Sequence, residues 1–164
     1  MPSIRRFEPD EWRLYRDLRL RALAEEPDAF GSTLAREEGR SDAEWAERLA
    51  RLAGGWDLPL VAEDEGRAAG IAWGRIDPAA PETAHLYQMW VAPEGRGRGC
   101  GAMLLDAVIE WARGKGAKRL LLDVTCGPSP ANRLYARAGF RAAGEPEPIR
   151  TGSAVLVQPM ALDL

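Results

Sequence analysis

The sequence has only two cysteines, Cys100 and Cys126, in 164 residues. Two cysteines, one among glycines and one in a polar, turn-like run, do not make a disulfide framework. Both are therefore expected to be free thiols in a reducing compartment. Residues 1–6 are not followed by the apolar stretch of a signal peptide, and the longest apolar runs are too short to span a bilayer. These absences predict a cytoplasmic protein without a membrane partner.

The sequence also lacks a strong excess of charge of either sign. It has 22 basic and 25 acidic side chains, which gives a net charge of −3 at pH 7. It contains no basic patch interleaved with aromatic residues, so nucleic acid is not an expected partner. The length of 164 residues and the hydrophobic fraction of 46% are typical of an ordinary globular chain. They predict one domain over residues 1–164.

The spacing of apolar residues and the positions of glycine and proline predict one mixed α/β sheet. A second helix is expected to begin at Ser41 or Asp42 and to carry Trp45, Leu49 and Leu52 on one face. The last two strands are expected to form a hairpin, and neither a repeat nor a linker is present. The predicted strands are residues 4–7, 58–63, 68–76, 83–91, 120–124, 140–143 and 154–162, and the other predicted helices are residues 10–25, 99–113 and 131–138.

Residues 96–101, called the glycine turn below, read Arg-Gly-Arg-Gly-Cys-Gly and lead into the strongest predicted helix. A glycine-rich turn at a helix N-terminus lets several backbone N–H groups converge on one anion, and the positive helix end favours a phosphate there. Arg96 and Arg98 add charged donors that suit phosphate oxygens. The pattern therefore predicts a diphosphate-binding turn.

Two other interpretations of the glycine turn stay open at this point. Gly97, Gly99 and Ala102 fit a dinucleotide-binding fingerprint, and Asp123 follows at the distance of a ribose-binding acid. That fingerprint should follow its strand at once, however, and should open a series of βαβ units, whereas here residues 92–96 intervene and the chain finishes with two strands. The other interpretation is a glycine-rich turn that binds no ligand.

Three motifs within residues 85–140 together resemble the GNAT acetyltransferase superfamily. Residues 86–93 are similar to the family's fourth strand and the turn after it, the glycine turn matches the acetyl-CoA signature [Q/R]-x-x-G-x-[G/A], and residues 134–140 are similar to the L-Y-x-x-x-G-F ending. The resemblance implies an α/β, GNAT-like single domain. Its mixed, mostly antiparallel sheet would have about seven strands, be splayed near its centre and be flanked by about four helices.

The resemblance also implies acetyl-CoA as a cosubstrate, with no metal ion. Residues Met89, Trp90 and Val91 would pair with the pantetheine arm through main-chain hydrogen bonds. Backbone donors around Trp90 and Val91 would stabilise the developing oxyanion. The CoA diphosphate would be held by backbone N–H groups of the glycine turn and the start of the helix, with two arginine side chains nearby. The residues implied in this binding are Arg96, Gly97, Arg98, Gly99, Cys100, Gly101 and Ala102.

The resemblance assigns a proton-donating role to Tyr135. A phenol with a pKa near 10 can supply a proton to the departing CoA thiolate. Asn132, one helical turn earlier, could contact the cofactor arm. Many relatives carry an asparagine seven residues before the tyrosine, and this chain has Pro128 there, which removes an amide side chain from the pantetheine contact.

A base or a water chain must take a proton from the attacking amine, because a free amine is mostly protonated at pH 7. His85, the only histidine, lies where many relatives place a glutamate, and it is the candidate base. Its alternative is an ordinary surface histidine, and Glu82 and Asp123 are weaker candidates. A covalent acyl-cysteine route through Cys126 is disfavoured, because no histidine is evidently paired with that thiol.

The sequence thus predicts direct acetyl transfer from acetyl-CoA to a primary amine. The acceptor could be a small polyamine or amino compound, an antibiotic, or a protein N-terminus or lysine. Its pocket would be walled by one or two residues of the first two helices and their loop, chosen from Trp12, Tyr15, Phe30 and Trp45. A homodimer is implied weakly by the family. The non-catalytic alternative is a CoA-binding regulatory or interaction module, which Tyr135 argues against and Pro128 mildly favours.

Overall fold

The computed structural model describes residues 1–50 and 54–164. The described residues form one sheet of eight strands in the order β1-β2-β3-β4-β5-β8-β6, with β7 paired to β8. The strands are β1 (Ser3–Arg6), β2 (Asp57–Asp64), β3 (Arg67–Ile76), β4 (Thr83–Val91), β5 (Arg119–Thr125), β6 (Arg141–Ala142), β7 (Glu147–Pro148) and β8 (Leu156–Asp163). The helices are α1 (Trp12–Glu25), α2 (Leu34–Glu38), α3 (Asp42–Ala50), α4 (Cys100–Gly114) and α5 (Pro130–Ala138).

The predicted α/β class and the mixed, mostly antiparallel sheet are confirmed. All strand pairs are antiparallel except β4 with β5. The five-residue helix α2 and the two-residue strand β7 were not predicted, because segments this short carry no hydrophobic period to recognise. Trp45 and Leu49 are buried on α3 as predicted, whereas Leu52 lies outside the described residues.

The sheet separates two apolar clusters. One cluster contains Leu104 and Val108 of α4 and Tyr135 of α5. The other contains Tyr15 of α1 and Trp45 of α3. Because successive side chains of a strand point to opposite faces, β3 contributes to both clusters and is buried along most of its length. The architecture therefore consists of helices on both faces of one sheet.

The sheet is splayed near its centre, as predicted. Strands β4 and β5 pair only at residues 83–85 with residues 119–121. Beyond His85 the two strands have no register in common, so among the described residues the β5-facing edge of residues 86–91 has no strand partner. Unpaired main-chain N–H and C=O groups along such an edge are available to a ligand. This opening between β4 and β5 is called the V below.

A loop over residues 26–33 runs from one arm of the V to the other. On the β4 side, Arg96 donates to the Glu26 carboxylate at 2.8 Å. On the β5 side, the Thr125 hydroxyl donates to the carbonyl of Asp28 at 2.6 Å, and Arg150 donates to the carbonyls of residues 27 and 30 at 3.1 Å each. The loop is thereby fixed on the face that carries α1.

Gly70 of β3 is expected to tolerate no side chain. A Cβ at this position would lie 2.7 Å from the carbonyl oxygen of Trp90, which is backbone and has little freedom to move. We therefore expect Gly70→Ala to lower the free energy of unfolding by about 1–3 kcal/mol. Urea denaturation measures this change.

Gly114→Ala is the matched control for that measurement. It adds the same methyl group at the end of α4, where a Cβ meets nothing within 4 Å. It should leave the stability unchanged or raise it by about 0.4–1 kcal/mol. Equal unfolding midpoints for the two variants would show that the close approach of Gly70 to β4 is not a constraint.

Candidate active site

The glycine turn presents free backbone donors at the start of α4. Gly97 and Gly99 have φ angles of +76° and +86°, a region that favours glycine, and a Cβ at either position would project into open space. Gly99 is the N-cap of α4 and no side chain caps the helix. Among the described residues, no hydrogen-bond acceptor is found for the N–H groups of Gly97, Arg98, Gly99, Gly101 and Ala102. The turn therefore has the converging donors and positive helix end that an anion requires.

The two arginines of the glycine turn are held by carboxylates of the chain itself. Arg98 donates to the Asp64 carboxylate and lies 3.7 Å from that of Glu65. Arg96 donates to the carbonyl of Val91 at 3.2 Å as well as to Glu26. Anion binding here would consequently depend first on the main-chain donors, with the guanidinium groups contributing positive potential nearby.

Strand β4 has a bulge at Gln88 and Met89, in the part of the strand that no longer pairs with β5. Trp73 of β3 pairs with Tyr87 and Ile71 pairs with Trp90, so two residues of β4 oppose one residue of β3. Gln88 has a φ of +58°, which is unusual for a residue with a side chain. Its carbonyl Oε1 accepts a 2.7 Å hydrogen bond from the Tyr15 hydroxyl. The bulge thus redirects the main chain beside the V and is tied to α1.

The predicted pantetheine-pairing residues all lie on this stretch of β4. Trp90 is buried in the cluster on the α1 face, while Met89 and Val91 pack against the cluster on the α4 face. Their side chains are therefore used for packing, and a ligand in the V would meet their main chain. The pairing of these residues with pantetheine stays a prediction.

A cavity of about 380 Å³ opens beside the bulge on the α1 face. It is called the charged pocket below, because two guanidinium groups and one carboxylate line it. Its lining residues are Tyr15, Arg48, Asp57, Trp73, Arg75, Tyr87 and Gln88. Of the four aromatic residues predicted as possible pocket walls, only Tyr15 lines this cavity, although it is as buried as Trp45; Trp12, Phe30 and Trp45 do not line it.

His85 lies on the same face as the charged pocket. It pairs across the sheet with Arg75, and its ring stacks on Tyr87 with centroids 5.7 Å apart. Burial lowers the pKa of His85 below its ordinary value, and Arg119 acts in the same direction, while Asp123 and Asp77 oppose the change. At neutral pH the imidazole is therefore uncharged and able to accept a proton.

Tyr135 lies on the opposite face from His85. It is 5% exposed, and its ring makes an edge contact with Phe140 at 5.6 Å between centroids. Burial raises the pKa of the Tyr135 phenol well above its ordinary value. The group consequently stays protonated at any physiological pH and is available only as a proton donor. The structure thus separates the predicted base and the predicted acid onto the two sides of the sheet.

Asn132 is occupied within the chain. Its side-chain nitrogen donates to the carbonyls of Thr125 and Gly127 at 2.9 and 2.7 Å. Ser129 caps α5 by accepting from the N–H of Asn132, and Pro130 is the first helical residue. The segment after Pro128 therefore acts as a helix start, and only the oxygen of the Asn132 amide remains for a cofactor contact.

The two cysteines differ in exposure. Cys100 is buried at 1% exposure, and burial raises the pKa of its thiol. Cys126 is exposed beyond the end of β5. Within residues 1–50 and 54–164, no group of three or more His, Cys, Asp or Glu side chains is arranged to hold a metal ion. None of the helices described for the chain has the length and apolar character that a membrane crossing requires.

Sequence reasoning missed most of the charged pocket. Arg48, Asp57, Arg75 and Gln88 come from four different elements, α3, β2, β3 and β4, and no motif links them. The strand register brings Asp57 and Arg75 together, and the packing of α3 on this face of the sheet adds Arg48. The one available signal was the set of charges at predicted strand ends, where a ligand site is commonly found.

Comparison with known proteins gives one family match. The model of the acetyltransferase (GNAT) family matches residues 9–140. A mycothiol acetyltransferase of Stackebrandtia nassauensis is 30% identical over 141 residues, which cover 84% of this chain and 44% of that protein. An L-2,4-diaminobutyric acid acetyltransferase of Nocardia farcinica is 35% identical over 86 residues, which cover 52% of this chain and 44% of that protein. The chain thus spans less than half the length of these two relatives.

The fold also matches solved structures. The protein yncA of Salmonella typhimurium, solved with its cofactor acetyl-CoA, superposes with a TM-score of 0.81 at 19% identity, covering 100% of this chain and 94% of that one. At this identity the likeness concerns the fold alone.

Proposed function

The chain belongs to the GNAT acetyltransferase family, and on this premise we propose that it transfers the acetyl group of acetyl-CoA to a primary amine. We propose equally that residues 1–164 act as one acetyltransferase domain. The observation that carries the proposal is the glycine turn, whose free N–H groups stand at the N-terminus of α4 beside the unpaired edge of β4. The name of the Nocardia farcinica relative supports an amine acceptor, since diaminobutyric acid carries amino groups.

The described residues fit acetyl-CoA as a cosubstrate. The N–H groups of residues 97–102 would bind its diphosphate, and a side chain at Gly97 or Gly99 would fill the space in front of them. The β5-facing edge of Met89, Trp90 and Val91 would hold the pantetheine arm through main-chain hydrogen bonds. When bound, acetyl-CoA supplies an acetyl thioester, a carbonyl carbon activated towards amines.

The reaction is a direct transfer in which no bond to the protein forms. The nitrogen lone pair of the neutral amine attacks the thioester carbonyl carbon, so a C–N bond forms and the C–S bond breaks. His85, on the face of the charged pocket, takes the proton that the amine nitrogen loses. Tyr135, on the other face, gives its proton to the departing thiolate sulfur and is reprotonated by solvent. Main-chain N–H groups around Trp90 and Val91 would stabilise the negative oxygen.

Titration calorimetry with acetyl-CoA, followed by an assay of thiol release with a panel of primary amines, tests this function. We expect binding, amine-dependent thiol release and an acetylated product in the mass spectrum. Binding without turnover on any amine would favour the CoA-binding regulatory module instead. No binding at all would leave the glycine turn as a turn without a ligand. The homodimer implied by the resemblance remains a prediction.

The pH dependence of kcat/KM tests the role of His85. Because burial lowers the pKa of His85, the ascending limb that reports this base should lie below pH 6.5, its ordinary value. An amine acceptor with a pKa near 10 contributes a separate rise at higher pH. His85→Gln should remove the lower limb and reduce kcat by about 100-fold.

Glu82→Gln is the comparison for His85→Gln. Glu82 is exposed and lies 3.4 Å from the amino group of Lys118, so its loss should leave the lower limb in place. A lower limb that survives in His85→Gln would assign the proton transfer to water or to another group.

A further inference from the structure

The charged pocket has more positive than negative charge around it. Arg48 lies 3.2 Å from the Glu37 carboxylate, but the same carboxylate also accepts from Arg40 and from the Ser32 hydroxyl. Glu37 is therefore shared between two guanidinium groups, of which Arg40 also lies 3.4 Å from the Glu44 carboxylate.

The single carboxylate that lines the pocket is also already engaged. Asp57 accepts a 2.8 Å hydrogen bond from the indole N–H of Trp73 and lies 3.9 Å from Arg75. The Asp57 carboxylate thus lies near Arg75. The Arg75 side chain nevertheless remains about half exposed. A cationic ligand entering the pocket would meet two guanidinium groups and a carboxylate that already has partners.

Arg19 adds a buried cation one helical turn after Tyr15 of the pocket. It lies on the same face of α1, is 4% exposed and has its guanidinium over the ring of Phe30 at 4.7 Å. Its Nε and Nη1 atoms have no hydrogen-bond partner among the described residues. Burial lowers the pKa of Arg19, Tyr15 and Glu37 oppose this change, and Arg48 lowers the pKa further. An unpartnered buried cation raises the positive potential around it, which an anion nearby would offset.

We infer that the charged pocket selects an acceptor that carries a carboxylate in addition to its primary amine, with Arg75 and Arg48 as the groups that bind the carboxylate. This inference rests on the proposed function and names the class of its acceptor: amino acids or similar compounds rather than polyamines. Guanidinium groups bind carboxylates through paired, charge-assisted hydrogen bonds. The pocket is lined by Gln88 of the bulge and by Tyr87, whose ring stacks on His85, so an acceptor bound by its carboxylate there would have its amine close to the proposed base.

Pairs of amines that differ only in the carboxylate test the inference. Lysine with cadaverine, ornithine with putrescine and alanine with ethylamine are such pairs. The value of kcat/KM should be about 10- to 100-fold higher for at least one amino acid than for its decarboxylated partner, which is the range of a hydrogen bond to a charged group. Arg75→Gln should remove this preference by raising the KM of the amino acid far more than that of the decarboxylated amine.

Arg48→Gln should act in the same direction, but this side chain also contacts the buried Glu37, so Arg75→Gln is the decisive variant. Arg113→Gln, an exposed arginine in the last turn of α4, removes the same charge away from the pocket and should change neither member of a pair. Equal kcat/KM values within every pair, or an equal loss for both members in Arg75→Gln, would overturn the inference.

Calorimetric titration of the same compounds separates this inference from the proposed function. Carboxylate-dependent binding that Arg75→Gln abolishes, without turnover, would support the pocket and refute the transferase. Turnover without a carboxylate preference would support the transferase and overturn the pocket assignment. Absence of both binding and turnover would overturn both.

Discussion

Gly99→Asp is expected to raise the dissociation constant of acetyl-CoA by about 100-fold or more. Gly99 has a φ of +86°, and aspartate is one of the few residues with a side chain that tolerates this region. Its side chain would project into open space, and its carboxylate would place a negative charge on the turn that carries the free N–H groups. Two like charges about 4 Å apart repel by about 4 kcal/mol at an effective dielectric constant near 20, and salt screens part of this. Titration calorimetry measures the loss.

Gly99→Asn separates charge from shape in this experiment. Asparagine has nearly the same size as aspartate and the same tolerance of a positive φ, but it carries no charge. We expect a loss of about tenfold from crowding alone, equivalent to about 1.4 kcal/mol. If the two variants lose affinity equally, the turn does not bind an anion. If neither loses affinity, the diphosphate is bound elsewhere.

Tyr135→Phe is expected to lower kcat by about 100- to 1000-fold, which is within the range of general acid catalysis. The phenol stays protonated because its burial raises its pKa. The variant therefore removes a proton donor that is present at every working pH. Steady-state kinetics should show the loss in kcat, with the KM for acetyl-CoA and the calorimetric affinity little changed.

The fold should survive this change. Phenylalanine keeps the ring that packs edge-on against Phe140 at 5.6 Å, so the urea midpoint should stay close to that of the unchanged chain. An unaltered kcat would show that solvent protonates the thiolate and that Tyr135 serves packing. A fall in affinity equal to the fall in kcat would indicate a binding role instead.

The features that could be predicted from the sequence are those carried by consecutive residues. Three such features were placed on the correct element: the glycine turn, the helical segment with Tyr135 and the strand with Trp90. The break in pairing after His85 could be expected only through the family resemblance, because no local pattern records where two parallel strands separate.

Features made by several elements could not be predicted. The charged pocket depends on the register that sets Asp57, Arg75 and His85 side by side, and a shift of one residue would turn each side chain to the other face. The bulge could not be predicted either, because the residue with the positive φ is Gln88 and not a glycine. Salt bridges between distant residues could not be predicted from the sequence. Arg98 was expected to contact phosphate, and in the folded chain it forms a salt bridge with Asp64.

The short contact between β4 and β5 has a consequence for the stability of the whole chain. Three residue pairs join β4 to β5, so main-chain hydrogen bonds couple the two arms only weakly, and side-chain contacts of the loop over residues 26–33 add to this coupling. A cosubstrate that lies between the arms would hydrogen-bond to the unpaired edge of β4 as a neighbouring strand does. It would bind only the folded chain, in which both arms are formed. Ligand at about 100 times its dissociation constant then adds about 2.7 kcal/mol to the free energy of unfolding. The supply of cosubstrate would in this way set how much of the protein is folded, as well as how fast it works.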